Sequence, residues 1–195
     1  IEGGRIVKVK LPRHFLPRVQ VLEYFRAFLL GRMAWSRLDG LMLISGAFGF
    51  FDRELALKTG GYNLHTVGED MEMLVRMRRY VNDVEKRDHL VEYIPDPLCW
   101  TESPATNQIL RQQRNRWTRG TAETLWVHRK LLFNPKYGVM GMISYPYWFL
   151  YEWLAPIIEF FGFTYFIFMA LLGFANWKFM ITLFFLVYSF AITFS

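Results

Sequence analysis

Residues 153–175 read Trp-Leu-Ala-Pro-Ile-Ile-Glu-Phe-Phe-Gly-Phe-Thr-Tyr-Phe-Ile-Phe-Met-Ala-Leu-Leu-Gly-Phe-Ala, 23 residues with a single charge, Glu159. Residues 179–195 add 17 more with none. Each run approaches the roughly 20 apolar residues that cross a bilayer as a helix. Two transmembrane helices are therefore expected, the second cut by the end of the chain, with Asn176-Trp177-Lys178 as a short turn and Trp177 as an interfacial anchor. Tyr145-Pro146-Tyr147-Trp148 and Tyr151-Glu152-Trp153 read as an aromatic belt ahead of the first run. The competing reading, a helical hairpin buried in a large soluble core, is less compatible with that aromatic placement. Arg111, Arg114, Arg116, Arg119, Arg129, Lys130 and Lys136 lie just upstream. Positive charge marks the cytoplasmic side, so the expected location is a multi-pass protein of the cell (inner) membrane with its polar portion in the cytoplasm.

Working outward, the polar portion is basic. Lys+Arg 23 against Asp+Glu 17 give the 195 residues a net charge of +6, and residues 141–195 hold only Glu152, Glu159 and Lys178, so residues 1–140 carry +7. With 53% hydrophobic and 18% aromatic residues, the chain is neither a disordered tail nor a disulfide scaffold. The one cysteine, Cys99, excludes an internal disulfide and, without a Cys/His cluster, reads as a packing residue. No metal-ligand pattern is visible. Ile1-Glu2-Gly3-Gly4-Arg5 lacks an initiator Met and an apolar stretch, and reads as the interior of a longer chain.

Residues 1–140 alternate short strand-like and longer helical patterns, as in an α/β layer structure. Strands are expected at Ile6–Lys10 and Val91–Ile94, Leu41–Ile44 and Ala47–Phe51 form an apolar run interrupted at Ser45-Gly46, where the bare backbone meets a ligand or makes a bulge, and Gly60-Gly61 is a turn. Val21–Leu38 reads as an amphipathic helix with Leu22, Phe25, Leu29 and Met33 on one face, lying either on a membrane surface or on a sheet. Pro104–Leu132 is helical, with Ser103 as its N-cap and Gly120 as a place for it to divide.

Two constellations can carry chemistry. Glu69 and Asp70 stand at the mouth of a helix whose Met71, Leu74 and Val75 face inward. Acids in a first turn are favoured by the helix dipole alone, but a carboxylate on a rigid element is also placed to take a proton from a hydroxyl. On the second helix, Gln113 stands three residues from Arg116 and four from Trp117, so one face offers an amide, a guanidinium and an indole. That face suits a phosphorylated sugar; a basic helix drawn to anionic lipid is the plainer reading.

In this order, and followed by apolar runs, the two constellations resemble the processive family 2 glycosyltransferases, the cellulose, chitin and hyaluronan synthases. That family carries a Thr-Glu-Asp motif and a Gln-x-x-Arg-Trp motif; Glu69-Asp70 and Gln113-Arg114-Asn115-Arg116-Trp117 match, and Ser45-Gly46-Ala47 resembles its small-residue acceptor loop. The resemblance covers roughly Leu41 onward. It implies that residues 1–140 are the C-terminal, acceptor-side part of a cytoplasmic GT-A-type (nucleotide-diphospho-sugar transferase) domain, and residues 141–195 a membrane region. It also implies inverting transfer of a sugar from a nucleotide sugar to a glycan acceptor, coupled to export. In it Asp70 is the catalytic base beside Glu69, Gln113 and Arg116 bind the donor diphosphate, and Trp117, Ser45 and Gly46 meet the acceptor.

Gly68 stands where the family has Thr, and no Asp-x-Asp occurs in the sequence. The divalent cation (Mg or Mn) that the resemblance implies is expected to be held mostly by residues outside this chain, which alone is expected to be inactive. Membrane lipid is the remaining expected partner; nucleic acid is not one, because the basic residues adjoin the apolar runs and no RNA-binding aromatic sheet motif is present. A non-processive transferase loading a polyprenyl phosphate or lipid shares the acids but not the Gln-x-x-Arg-Trp motif. A noncatalytic scaffold or lipid-binding module is the reading from a different class. Sugar identity, linkage, product length and subunit partners are not written in these residues.

Overall fold

A computed structural model describes residues 11–46, 48–87, 89, 91–96, 101–174 and 176–193, without the side chains of 188 and 190–193. It divides into two compact units, the first ending at Trp153 and the second running Leu154–Ser195.

In the first unit, α1 (Phe15–Tyr24) continues through a π-helical stretch, Phe25–Arg32, into α2 (Met33–Arg37). This helical segment begins six residues before the expected Val21, because Pro17 falls in its first turn, where a missing N–H costs nothing. Its apolar face is not packed on a sheet: Leu22 and Phe25 are 71% and 56% exposed. The helix α3 (Arg53–Lys58) is capped by Asp52, which accepts from the Leu55 N–H at 3.0 Å. The expected turn follows, with Gly60 and Gly61 at φ 91° and 67°, a region that glycine enters without strain.

Next come α4 (Glu69–Tyr80) and α5 (Asn107–Val127). The inward face of α4 is as expected, with Met71, Leu74 and Val75 buried. The cap of α5 is Thr106 rather than Ser103, accepting from the Ile109 N–H at 3.4 Å. Pro104 is buried instead, its carbonyl accepting from Gln20 Nε2 at 2.9 Å, which ties the preceding loop to α1 and delays the helix. Gly120 does not divide α5. Beyond it, Met140–Trp153 is helical, mostly π-type around α6 (Tyr145–Tyr147). Tyr145 belongs to the core rather than to an aromatic belt, clustering with Met42, Met71, Val75, Leu125, Leu131, Tyr137 and Met140 while its hydroxyl donates to the Leu125 carbonyl.

Among the described residues there is no strand. Leu41–Ile44 and Val91–Ile94 belong to no helix or strand, and side chains from elsewhere pair with part of their backbone. Arg78 Nη1 donates to the Leu41 carbonyl at 2.9 Å, and Ser36 Oγ accepts from the Tyr93 N–H at 2.9 Å and donates to the Val91 carbonyl at 3.3 Å. Ile6–Lys10, Ala47 and Cys99 lie outside the described residues.

The second unit holds α7 (Ala155–Leu171) and α8 (Trp177–Thr193). The expected turn is displaced, since Trp177 and Lys178 open α8 and Asn176 caps it by accepting from the Phe179 N–H at 3.1 Å. The 17 residues of α7 reach about 25 Å, less than the roughly 30 Å of a hydrocarbon core. No single helix among the described residues is long and apolar enough to cross a membrane; Met140–Trp153 and Ala155–Leu171 pass that test only as a pair. None of the residues of α7 is buried, and the Phe166 and Trp177 rings lie 6.2 Å apart, edge to face.

Candidate active site

The two motifs are distant in sequence and meet through a glycine contact. Gly68, the N-cap of α4, packs on Gly120 of α5 so closely that a Cβ added to Gly120 would lie 2.6 Å from the Gly68 Cα, and one added to Gly68 2.7 Å from the Gly120 Cα. The departure from Thr at position 68 thus has a steric reason: backbone occupies the volume a side chain would need. Gly120→Ala is expected to force the two helices apart, lowering unfolding free energy by about 1–3 kcal/mol, the usual cost of overpacking. Denaturant unfolding of the purified protein measures it.

Glu123, one turn beyond Gly120, completes the junction. Its Oε2 accepts from Thr66 Oγ1 at 2.8 Å and from the Val67 N–H at 3.0 Å, while Thr66 Oγ1 accepts from the Gly68 N–H at 3.1 Å. Arg119 Nε donates to the other carboxylate oxygen at 2.7 Å. These bonds, the one from Arg119 foremost, hold the Glu123 carboxyl below its ordinary value. The loop that delivers the acid pair is therefore clamped from α5, by a residue that sequence reading did not single out.

Asp70 is half-buried and Glu69 exposed. Asp70 Oδ1 accepts from the Met71 N–H at 2.8 Å, and Oδ2 looks at the Ser45-Gly46 turn, where a Cβ on Gly46 would be 2.8 Å away. Three expected site residues, Asp70, Ser45 and Gly46, thus share one place. The absence of a side chain at Gly46 leaves the carboxylate uncovered.

Gln113 and Trp117 share a face of α5, as the spacing predicts, and that face meets α1. Tyr24 Oη donates to Gln113 Oε1 at 3.5 Å, and the Tyr24 and Trp117 rings are 6.4 Å apart. Burial pushes the Tyr24 hydroxyl above its ordinary value. Trp117 stays 38% exposed. Arg114, assigned no role by the sequence, covers Trp117 with its guanidinium 4.7 Å from the ring centre and pairs with Glu23. Arg116 is exposed and, among the described residues, no hydrogen bond or ion pair holds it.

The match to known proteins follows the same lines. Glycosyl transferase family group 2 covers residues 7–192. The chain belongs to that family. The family is one of glycosyl transferases. Among curated relatives, the poly-beta-1,6-N-acetyl-D-glucosamine synthase of Staphylococcus epidermidis is 25% identical over 118 residues, 60% of this chain and 27% of the relative. The synthase of the same description from Staphylococcus aureus (strain COL) is 28% identical over 120 residues, with the same shares of 60% and 27%. This family 2 chain thus spans about a quarter of the length of the curated relatives it matches. No solved structure matches it.

Among the described residues of this glycosyltransferase chain, no group of three His, Cys, Asp or Glu side chains is placed to hold a metal ion. The described residues offer no set that fits the divalent cation.

Proposed function

We propose that this chain is the acceptor-side part of a processive, membrane-bound, inverting family 2 glycosyltransferase of GT-A type, acting on a nucleotide sugar and a growing glycan. The observation that carries the reading is the junction of Gly46, Asp70 and the Gly68–Gly120 contact, which puts an uncovered carboxylate beside the Gln113–Trp117 helix. Asp70 takes the proton from the acceptor hydroxyl as its oxygen bonds to the anomeric carbon, and the bond from that carbon to the diphosphate breaks with its electron pair leaving on phosphate. Arg116, exposed and unpaired, and Gln113 meet the diphosphate; Trp117 stacks on the acceptor ring, and the Ser45-Gly46 turn leaves room for that sugar.

Membrane residence is supported by the exposed apolar surface of α7 and by the exposed Leu22 and Phe25 on the first helix, flanked by Arg18 and Arg26. The names of the relatives support N-acetylglucosamine as the sugar transferred. The test is transfer by the full-length protein in membranes, offered UDP-N-acetylglucosamine or UDP-glucose, with products sized on a gel. Long products from the first donor are expected; products of one added sugar would overturn processivity. In the same assay Trp117→Ala is expected to raise the acceptor KM and shorten products while leaving the donor KM within about two-fold, because the lost stacking, worth roughly 0.5–1.5 kcal/mol, is on the acceptor side. Equal loss on both substrates would make Trp117 structural.

A further inference from the structure

The helix that carries Asp70 starts without a cap of its own. Its N-cap is Gly68, which has no side chain to accept from the first turn. What fixes the residues before Asp70 comes from α5. Glu123 Oε2 accepts from Thr66 Oγ1 at 2.8 Å and from the Val67 N–H at 3.0 Å, and Thr66 Oγ1 in turn accepts from the Gly68 N–H at 3.1 Å. All three bonds end two to four residues before Asp70. The backbones of Gly68 and Gly120 touch besides, with no room for a Cβ on either, so the loop lies directly on the helix. A carboxylate accepting from a hydroxyl and a backbone N–H makes charge-assisted bonds, roughly twice as strong as neutral ones. Counting along α5 from Arg116, Arg119 is three residues on and Glu123 seven, which puts the three on one stripe. Arg119 Nε donates to Glu123 Oε1 at 2.7 Å, steadying the carboxylate while its other oxygen holds the loop. A single helix thus carries both Arg116 and the anchor of the loop that delivers Asp70.

We propose that Glu123 is a positioning residue for sugar transfer: by tying the Thr66–Gly68 loop to α5 it sets the place of the Asp70 carboxylate relative to Arg116, and it touches no substrate itself. The assignment rests on the reading of Asp70 as the base and of Arg116 as a diphosphate ligand. In a single displacement the group that takes the proton and the groups that hold the leaving diphosphate act on opposite sides of one anomeric carbon. Their separation has to be held closely, since a misplacement of about 1 Å costs on the order of 10²-fold in rate. Loss of the Glu123 carboxylate frees the loop to shift without removing any group that meets donor or acceptor. The acceptor proton still goes to Asp70 and the electron pair of the breaking bond still leaves on phosphate; only the geometry is relaxed.

The test is steady-state kinetics per folded molecule on the full-length enzyme in membranes, with UDP-N-acetylglucosamine as donor and a β-1,6-linked N-acetylglucosamine tetrasaccharide as acceptor. Glu123→Ala is expected to lower kcat about 10²-fold with donor and acceptor KM within about two-fold, because no binding group is lost. Glu123→Gln is expected to recover most of that loss, since its amide oxygen still accepts from Thr66 and Val67. A Gln variant as slow as the alanine one would mean that only the charge opposite Arg119 matters, and overturns the proposal. The readout that a merely structural residue would not move is a double-variant cycle. With Asp70→Asn already in place, Glu123→Ala is expected to lower kcat by no more than about three-fold further, because residues that act through one group are not additive. Should Glu123→Ala not fold, Thr66→Val, which removes the hydroxyl link and keeps the shape, decides the matter: it is expected to lower kcat several-fold with the same non-additivity. Losses that multiply in the double variant, a loss carried by either KM, or an unchanged kcat overturn the role of Glu123. Normal turnover in Asp70→Asn alone is a separate failure, which removes the base and the proposal with it.

Discussion

Asp70→Asn in the full-length enzyme is expected to fold, enter membranes and bind donor, while sugar transfer falls about 10²- to 10⁴-fold, the usual contribution of a positioned base. The substitution keeps the shape, and the Asn carbonyl oxygen can still accept from the Met71 N–H that Asp70 Oδ1 now uses. Only the proton acceptor facing Gly46 is lost. Were Asp70 merely a first-turn acid favoured by the helix dipole, the variant would lose roughly 0.3–1 kcal/mol of stability and little turnover per folded molecule. The deciding measurement is nucleotide release with acceptor present, normalised to folded protein; a rate within about three-fold of the parent, far short of a lost base, refutes the assignment. Glu69→Gln is expected to do less, because Glu69 points into solvent.

The second large effect is one of stability, two residues further along α4. Glu72 is 2% exposed, accepts from Arg76 Nε and Nη2 at 3.0 Å each, and meets His128 Nε2 at 3.3 Å. Arg79 Nη1 stands 2.8 Å from His128 Nδ1. A guanidinium only donates, so Nδ1 is the acceptor and the imidazole proton sits on Nε2, where it is given to Glu72. Burial alone would raise the Glu72 carboxyl, but the bonds from His128 and Arg76 hold it below its ordinary value. Glu72→Ala leaves the His128 Nε2 proton, on a residue 1% exposed, without its acceptor and takes the carboxylate from Arg76, which keeps only the Thr59 and Gly61 carbonyls, and is expected to cost about 3–5 kcal/mol, as for a broken buried ion pair. Unfolding titrations of parent and variant check it. A carboxyl lowered in the folded state contributes fully above its unfolded value and loses that contribution as pH falls through the folded one. The difference between parent and variant is therefore expected to shrink toward acid; a gap that widens there would mean that Glu72 folds protonated.

Some of this molecule is legible in residue order because it depends on period and spacing. The inward face of α4 follows from Met71, Leu74 and Val75 at helical intervals, and Gln113 with Trp117 on one face of α5 needs only 3.6 residues per turn. The family follows from the short motifs themselves, since their chemistry requires particular residue types. The short apolar runs Leu41–Ile44 and Val91–Ile94 do not say what pairs with their backbone, and here Arg78 and Ser36 do so from elsewhere in the chain.

Sequence by itself determined the helices that carry the acids and the Gln-x-x-Arg-Trp motif, the apolar character of the last residues, and the glycosyltransferase family. Tertiary structure alone decided that Gly68 and Gly120 touch and that Glu123 clamps the loop before Glu69. The physical reason is the same in each case. A side chain's type and period are local properties, whereas a 2.6 Å clearance or a carboxylate reaching across 57 residues exists only once distant segments are packed together.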